Sequence, residues 1–382
     1  MSRLATAGDV LQLIRSGEGA TRADIGRLTG LSRPAVAHRV AELLRRGLIV
    51  EDADGPSTGG RPPMRLRFNA SGGVVLVASL GASRTQIALC DLDGQAIDRR
   101  DLEIDVEQGP DAVLSTVMDT WDTLLAGQWV AGVGIGVPAT VEFAAGRTES
   151  ARVMAGWTGV VIPPIIAARY PVPVFVDNDV NVIAVGEHRR VYAGELDDLL
   201  FVKVSTRIGA GVVSGGVVLR GALGAAGEIG HIPVRDGGGV LCRCGNTDCV
   251  DSVASGTAIL RDLRAKGRDV RSLADVAALV RAGDAETMAV VRQAGRWLGE
   301  IVASAVNLLN PAVVVLGGDV ADMFQPLVSG VREEVYRRST QLATRTLRIE
   351  RSRLGAGAGI TGCALLVLDR VLTPDAVDGA LI

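Results

Sequence analysis

The spacing of apolar residues changes character close to residue 70, and this break limits the possible folds more than any other feature of the chain. Ahead of it, apolar positions recur at helical spacing, as in Val10, Leu11, Leu13 and Ile14 or in Val36, Val40, Leu43 and Leu44. Behind it, from Gly72 onward, β-rich runs are separated by glycine turns and helical segments. Such alternation of strand and helix calls for sheets covered by helices, an α/β architecture. At 382 residues the chain also exceeds what one core of ordinary size holds, so two or three folding units are expected, with the first division between 1–70 and 71–382.

The front unit reads as three helices and two strands. Gly17, Glu18 and Gly19 stop the first helix; Thr21 caps a second over 22–28 that ends at Gly30; Ser32 caps a third over about 33–46, with Pro34 tolerated in its first turn. The third helix turns Ser32, Arg33, Ala35, His38 and Arg39 outward, and helix, short turn, helix with a basic outer face is the geometry that lays a recognition helix in a major groove. A three-helix bundle docking on some other partner has the same spacing. What separates the two is the sequel. Leu48, Ile49 and Val50 form a short strand, 52–60 is turn-rich, and Met64, Leu66 and Phe68 alternate with Arg65 and Arg67 as a returning strand, which together make a wing. Its tip, Gly59, Gly60, Arg61 and Pro62, offers the Arg61 guanidinium to a minor groove or to phosphate.

Charge points the same way. Residues 1–70 carry 11 arginines and seven acidic residues, a balance of +4 that leaves −7 on the remainder. A basic front end suits a polyanion, although a solvated basic face has the same composition. Double-stranded operator DNA is the expected partner. A single small winged head has modest specificity, so paired half-sites, and with them a homodimer or tetramer, are expected. The whole chain, 48% apolar and 22% charged, excludes disorder. No apolar run reaches the ~18 residues of a membrane span and the first residues lack the build of a secretion signal, so a cytoplasmic location away from membranes is expected.

Three of the five cysteines, Cys242, Cys244 and Cys249, fall within eight positions, which without a secretory signal points to metal ligation rather than disulfides. With His231 they supply one nitrogen and three sulfurs, a set suited to a closed tetrahedral structural Zn²⁺. The Cys-x-Cys pair can share one ion only on a tight loop, for which Gly237, Gly238, Gly239 and Gly245 would supply the turns. Cys90 and Cys363 have no neighbours of ligand type and are expected in the core. Elsewhere, strands are expected over 74–80, 86–89, 130–137, 174–176, 199–204 and 211–213, and helices over 112–125, 181–190, 272–280, 285–308 and 323–335. Glycine turns after strands near Gly81, Gly209 and Gly317 suggest nucleotide-type loops, each weak alone.

Four segments in this order, Val133-Gly134-Ile135-Gly136-Val137-Pro138, Val176-Asp177-Asn178-Asp179-Val180-Asn181, Gly227-Glu228-Ile229-Gly230-His231 and Cys242-Arg243-Cys244-Gly245-Asn246-Thr247-Asp248-Cys249, resemble the ROK family of repressors and sugar kinases. With the winged head, the resemblance covers nearly the whole chain. It implies a two-lobed actin-like kinase fold, with a small lobe of about 71–180 plus the C-terminal helix, a large lobe of about 181–365, and a ligand between them. It also implies a sugar pocket made by Asn178, Asp179, Glu228 and His231, with Asp179 at the position of the kinase base, and a metal that anchors the histidine without performing chemistry.

The chain departs from that pattern in places that matter. Asp251 stands where the family has a glutamate, so it reaches the sugar through water or leaves room for a bulkier ligand; Val153, Met154 and Ala155 stand where an asparagine is usual. The first phosphate loop, Asp-x-Gly-Gly-Thr in the kinases, is Ser79-Leu80-Gly81-Ala82-Ser83, and the second, Gly-Thr-Gly-x-Gly, is Ser205-Thr206-Arg207-Ile208-Gly209. Phosphoryl transfer depends on positioning and charge stabilisation. With both cradles altered, the expectation is a sugar-responsive regulator, a repressor, that binds a sugar or sugar phosphate without kinase activity and keeps Asp179 as a vestige; Arg207 could hold the phosphate of a sugar phosphate. The competing expectation is a bifunctional ATP-dependent sugar kinase with a DNA-binding head.

Overall fold

The computed structural model of the protein describes residues 5–52, 64–81, 84–149 and 156–381. Its front unit holds α1 (Ala7–Arg15), α2 (Arg22–Thr29) and α3 (Arg33–Arg45), followed by the antiparallel strands β1 (Ile49–Asp52) and β2 (Arg65–Phe68), in which Ile49 lies opposite Phe68 and Asp52 opposite Arg65. The three helix starts are set by local chemistry. Thr6 and Asp9 form a reciprocal capping box, Thr21 accepts from Asp24 N–H, and Ser32 accepts from Ala35 N–H, while Gly30 ends α2 in the left-handed region at φ 70°. Val10, Leu11, Ile14, Ile25, Val36, Val40, Leu43, Ile49 and Leu66 close the core of this unit, with Leu44 only half-buried at its margin. The wing tip, including Gly59, Gly60, Arg61 and Pro62, lies outside the described residues.

Two five-stranded sheets follow. The first is built from β3 (Val74–Leu80), β4 (Thr85–Asp91) and β5 (Ala96–Leu102), then α4 (Pro110–Leu124), β6 (Val130–Val137), the small hairpin β7 (Thr140–Glu142) and β8 (Arg147–Glu149), α5 (Ile162–Ala167) and β9 (Val174–Asn178). After α6 (Asp179–Glu187) the second takes β10 (Leu199–Val204), β11 (Ile208–Ser214) and β12 (Val217–Leu219), the helices α7 (Val250–Ala254), α8 (Gly256–Ala265), α9 (Leu273–Arg281) and α10 (Ala285–Leu309), then β13 (Val313–Gly317), α11 (Phe324–Arg338), α12 (Gln341–Thr344) and β14 (Arg348–Arg351). The chain ends with α13 (Ala358–Val371) and α14 (Pro374–Leu381). The sheet orders are β5-β4-β3-β6-β9 and β12-β11-β10-β13-β14. Counted within each sheet, both run third, second, first, fourth, fifth, so the body is one arrangement used twice.

Strands β3, β6 and β13 are buried along nearly their whole length because helices cover both faces, which is why they read as unbroken apolar runs. Strand β5 escaped the sequence reading because it is an edge: Asp98, Arg99, Arg100 and Asp101 leave no apolar alternation, and their charges blunt the edge against further pairing. Gly209 ends no strand; it is the second residue of β11, opposite Lys203, and the turn falls on Ser205, Thr206 and Arg207.

Helices α6 and α13 lie against each other between the two sheets. Bare backbone permits the approach: a Cβ on Gly362 would overlap the Val182 carbonyl, and one on Gly186 would stand 2.5 Å from Ala358 O. Cys90 and Cys363 are buried here as expected. The same apolar cluster runs on without interruption into the front unit, joining Val10, Leu11 and Ile14 to Val75, Val77, Val367, Leu372 and Val377. Polar contacts key this joint: Gly8 N–H donates to Asp378 Oδ1 at 2.8 Å and Gln12 Nε2 to Leu372 O at 2.5 Å. Among the described residues no single helix is long and apolar enough to cross a membrane.

Candidate functional site

Strand β9 ends in the cleft between the sheets, and the turn into α6 presents Asp177, Asn178 and Asp179 there. Asn178 is the N-cap of α6: its Oδ1 accepts from Val180 N–H and Asn181 N–H at 2.8 and 3.2 Å, and its Nδ2 donates to Ala139 O at 3.1 Å. Its amide oxygen is therefore spent on the helix and one N–H remains for a ligand. Asp179, buried at the first turn, accepts from Lys203 Nζ at 2.5 Å. Glu228, exposed across the cleft, accepts from Thr140 Oγ1 at 3.0 Å, a contact between the second sheet's loop and the first sheet's hairpin.

Beside Asp179 the cleft widens into a cavity of about 380 Å³, lined among others by Ser79, Gly81, Lys203, Ser205, Gly318 and Arg351. This is where the resemblance places the phosphates of a nucleotide. Ser205 Oγ accepts from Asp319 N–H at 3.1 Å, and Arg351 is paired with Asp322 at 2.7 Å. Residues Ala82 and Ser83 of the first loop, and Val153, Met154 and Ala155, lie outside the described residues.

Asp251 differs from the expectation of a sugar ligand acting directly or through water. Its Oδ1 accepts from Ile208 N–H at 2.8 Å and its Oδ2 from Arg207 Nη1 at 2.9 Å, so both oxygens are already engaged. The side chain one methylene shorter than glutamate is thus matched by an arginine where glycine is usual, and the arginine fills the space in front of it.

The metal-ligand set converges. Nδ1 of His231 and the sulfurs of Cys242, Cys244 and Cys249 all lie within 4.8 Å of one another, with Cys242 Sγ 3.5 Å from His231 Nδ1 and Cys244 Sγ 3.5 Å from Cys249 Sγ. Ligands at tetrahedral Zn–N and Zn–S distances stand roughly 3.5–3.8 Å apart, so the donors are close to the spacing a single ion needs. Asp248 stitches the loop, its Oδ1 accepting from Val240 N–H at 2.8 Å and its own N–H donating to Val240 O at 2.8 Å. Gly238, Gly239 and Gly245 turn it at φ 86°, 76° and 97°. Gly237 has no such φ; it is glycine because a Cβ there would press on Asp248 at 2.7 Å. In the absence of a cation, burial pushes the Cys249 thiol up to about 12, whereas the Asn246 backbone N–H lowers Cys244. A metal cation held there would supply the positive charge that makes thiolates of all three.

In the front unit Arg33 and His38 are exposed on α3, together with Ala37, which the sequence reading passed over in favour of Ala35, half-buried in the structure. Ser32 spends its hydroxyl as the cap of α3, with Ala35 N at 3.4 Å. Arg39 Nη1 and His38 Nε2 reach Glu42 at 3.5 and 3.4 Å. These weak exposed contacts leave both side chains available to another partner. Two cleft residues were missed altogether: Lys203 and Arg220. The only signal for Lys203 was its rarity, since it is one of just two lysines in the chain. Arg220 carried none.

The sequence profile described as "ROK family" matches residues 76–370, and that described as "Winged helix-turn-helix DNA-binding" matches residues 3–50. The xylose repressor of Caldicellulosiruptor bescii is 27% identical over 382 residues, covering 95% of each chain. The xylose repressor of Bacillus subtilis is 28% identical over 360 residues, 92% of each. Among solved structures, a ROK family transcriptional regulator, a homologue of the E. coli MLC protein, superposes with a TM-score of 0.82 at 26% identity, covering 98% of both chains.

Proposed function

The chain belongs to the ROK family, and from that membership we propose that it is a sugar-responsive transcriptional regulator acting as a repressor. Residues 1–70 are its DNA-binding head. Residues 71–382 are the sensor, its small lobe about 71–180 with the C-terminal helix and its large lobe about 181–365. Ser32, Arg33, Ala35, His38, Arg39 and Arg61 meet operator DNA; Asn178, Asp179, Glu228, His231 and Asp251 form the ligand pocket, Asp251 through Arg207. The observation that carries this reading is the continuous apolar core from Val10 and Leu11 through Val75 to Val367 and Val377. It makes the recognition helix and the small lobe one body, so a ligand that moves the large lobe against the small one moves it against the head as well.

The cleft works as a sensor without kinase chemistry. A general base must present a lone pair to the sugar hydroxyl, and Asp179 has its Oδ2 engaged by Lys203 at 2.5 Å, which leaves Oδ1 alone for a ligand. Arg207, held by Asp251, occupies the loop that should wrap phosphate. His231 through Nδ1, with Cys242, Cys244 and Cys249, would hold a structural Zn²⁺, whose contribution is to fix the loop; the imidazole Nε2 is then the edge turned away from the metal. In a homodimer or tetramer, lobe closure changes the spacing of two heads and so the fit to paired half-sites.

The test is fluorescence anisotropy of the full chain on operator fragments selected from random duplexes, with and without a panel of sugars and sugar phosphates. Sequence-specific binding weakened by at least one compound is expected. Indifference to duplexes of every sequence at low salt would overturn the reading. So would ATP-dependent sugar phosphorylation that Asp179→Asn abolishes, which would instead establish the bifunctional kinase.

A further inference from the structure

The joint between head and body gathers three arginines around two aspartates, and the arginines come from both sides of it. Helix α6, which starts at Asn178 and Asp179, closes as a π turn over His188–Tyr192. That turn is seated on the second sheet: Tyr192 is buried with Leu199, Phe201, Val313 and Val315, and its hydroxyl donates to Glu350 Oε2 on β14 at 2.8 Å. Its two arginines reach the other way. Arg189 Nη1 and Nη2 donate to the two oxygens of Asp369 on α13 at 3.2 and 2.9 Å. Arg190 Nη2 donates to Asp93 O in the turn between β4 and β5, with Nη1 3.6 Å from Asp93 Oδ2. Both aspartates ride with the head, because their neighbours Leu368 and Leu92 belong to the apolar core that the head shares.

The third arginine belongs to the head itself. Arg15 ends α1, with its guanidinium carbon 5.3 Å from the centre of the Phe68 ring, and together with Asp93 it lines a groove of about 700 Å³ between head and body. Gln12 ties it to the end of α13: Oε1 accepts from Arg15 Nη1 at 3.3 Å, and Nε2 donates to Leu372 O, one turn past Asp369. Arg15 is exposed, yet packed closely enough that desolvation pulls its guanidinium down from the ordinary arginine value, with Asp369 and Asp93 opposing and Arg189 adding. Among the described residues Arg15 is in no ion pair, and Arg190 Nε is buried without a partner. The pairing in this state therefore leaves cationic donors unsatisfied on both sides of the joint.

Three cations thus share two carboxylates, and the sharing has two arrangements. In the one seen, Asp369 and Asp93 belong to the π turn. Movement of the second sheet against the first carries Tyr192, and with it Arg189 and Arg190, away from aspartates that stay with the head's core. We propose that this exchange of partners transmits the state of the sensor to the DNA-binding head: lobe movement withdraws Arg189 and Arg190, Arg15 takes over Asp369 and Asp93, and the end of α1 is drawn toward α13. Helix α3 packs directly on α1, so the recognition helix tilts with it. The proposal rests on the sensor reading above and gives it the residues through which the cleft acts on the head. Pocket and head bias one element with two discrete pairings, which is what coupling between distant sites requires.

Arg15→Gln, Arg189→Gln and Asp369→Asn, singly and combined in the full chain, test it. Amide hydrogen exchange along α1 reads the seat of the head. Arg189→Gln leaves Asp369 to Arg15, so protection of the α1 amides should rise roughly twofold to fivefold, the size of one exposed ion pair, and should not rise when Arg15→Gln is also present. Relief of repulsion between the two arginines has the same sign, and Asp369→Asn separates the causes: it should erase most of the rise if the carboxylate is shared, and leave it if repulsion alone acts. Fluorescence anisotropy on duplexes selected by the parent chain reads the transmission. Arg189→Gln, far from DNA, should weaken operator binding by a similar factor, and Arg15→Gln alongside should cancel the change. The Arg189 and Asp369 side chains are 43% and 38% exposed, so the fold tolerates these changes, and Arg190→Gln, which frees Asp93, is a second variant with the same expected signs. Protection of α1 unchanged within about 1.5-fold, or a rise that persists without Asp369, overturns the exchange. A parent that binds its operator while Arg189→Gln leaves affinity unaltered overturns the transmission and spares the sensor reading, whereas a parent that binds no duplex strikes the sensor reading and the transmission together.

Discussion

Removing the arginine that joins the two lobes gives the sharpest quantitative test of the architecture. Arg220, just past β12 in the second sheet, is bound to Asp177 on β9 of the first, and its guanidinium carbon lies 3.9 Å from the centre of the Phe143 ring. Arg220→Met leaves a carboxylate of 2% exposure without its cation. Breaking a buried pair by deleting one partner costs about 3–5 kcal/mol. The low end applies here, about 3 kcal/mol, because Asp177 Oδ1 keeps the Asn178 and Asn181 hydrogen bonds. Loss of the stacked cation adds roughly 0.5–2 kcal/mol, partly returned by the methionine's own contact with the ring. Asp177→Asn strands Arg220 in turn, while the double variant has no uncompensated charge, so its cost should fall at least about 1.5 kcal/mol short of the sum of the singles. Urea unfolding followed by circular dichroism measures all four corners of the cycle. A single-variant loss under about 1 kcal/mol, or additivity within about 0.3 kcal/mol, would refute the claim that this pair holds the lobes together.

Gly362→Ala drives a methyl group into the Val182 carbonyl, and the forced separation of α6 from α13 should cost at least about 1–3 kcal/mol in thermal or urea unfolding; a variant as stable as the parent would mean the helices are not in contact. The purified chain should carry one zinc per protomer by elemental analysis, and Cys244→Ser should lose most of it while Cys90→Ser, buried away from the cluster, keeps it; equal metal in both variants excludes the site. Arg33→Ala and Arg39→Ala, both on the outer side of α3, should weaken operator binding and reduce the slope of log affinity against log salt by about 1 each if they contact phosphate. Unchanged affinity at low salt would remove α3 from the interface.

The parts of this protein legible in its sequence are those whose chemistry is local. Caps at Thr21 and Ser32 depend on one side chain and the N–H groups within three residues of it, so α2 and α3 could be placed without knowing what they pack on. The metal set was readable because its three cysteines fall on one short loop, and His231 precedes them by only a few turns. The alternation of strand and helix announced covered sheets, though not their number, since edges such as β5 carry no alternation and β14 is only four residues long.

The character of the cleft was decided by residues far apart in the chain. Both oxygens of Asp251 are engaged, in part by Arg207, 44 positions away, and Asp179, expected as a vestigial base, carries on one oxygen the ammonium of Lys203, 24 positions on. Strand order brings such residues together, and it is fixed by burial summed over whole sheets, which no local segment records. From its sequence alone, then, the chain specified which side chains could do chemistry. Only the tertiary structure determined which of them are already satisfied, because an ion pair across the cleft depends on distance in space and leaves no trace in spacing along the chain.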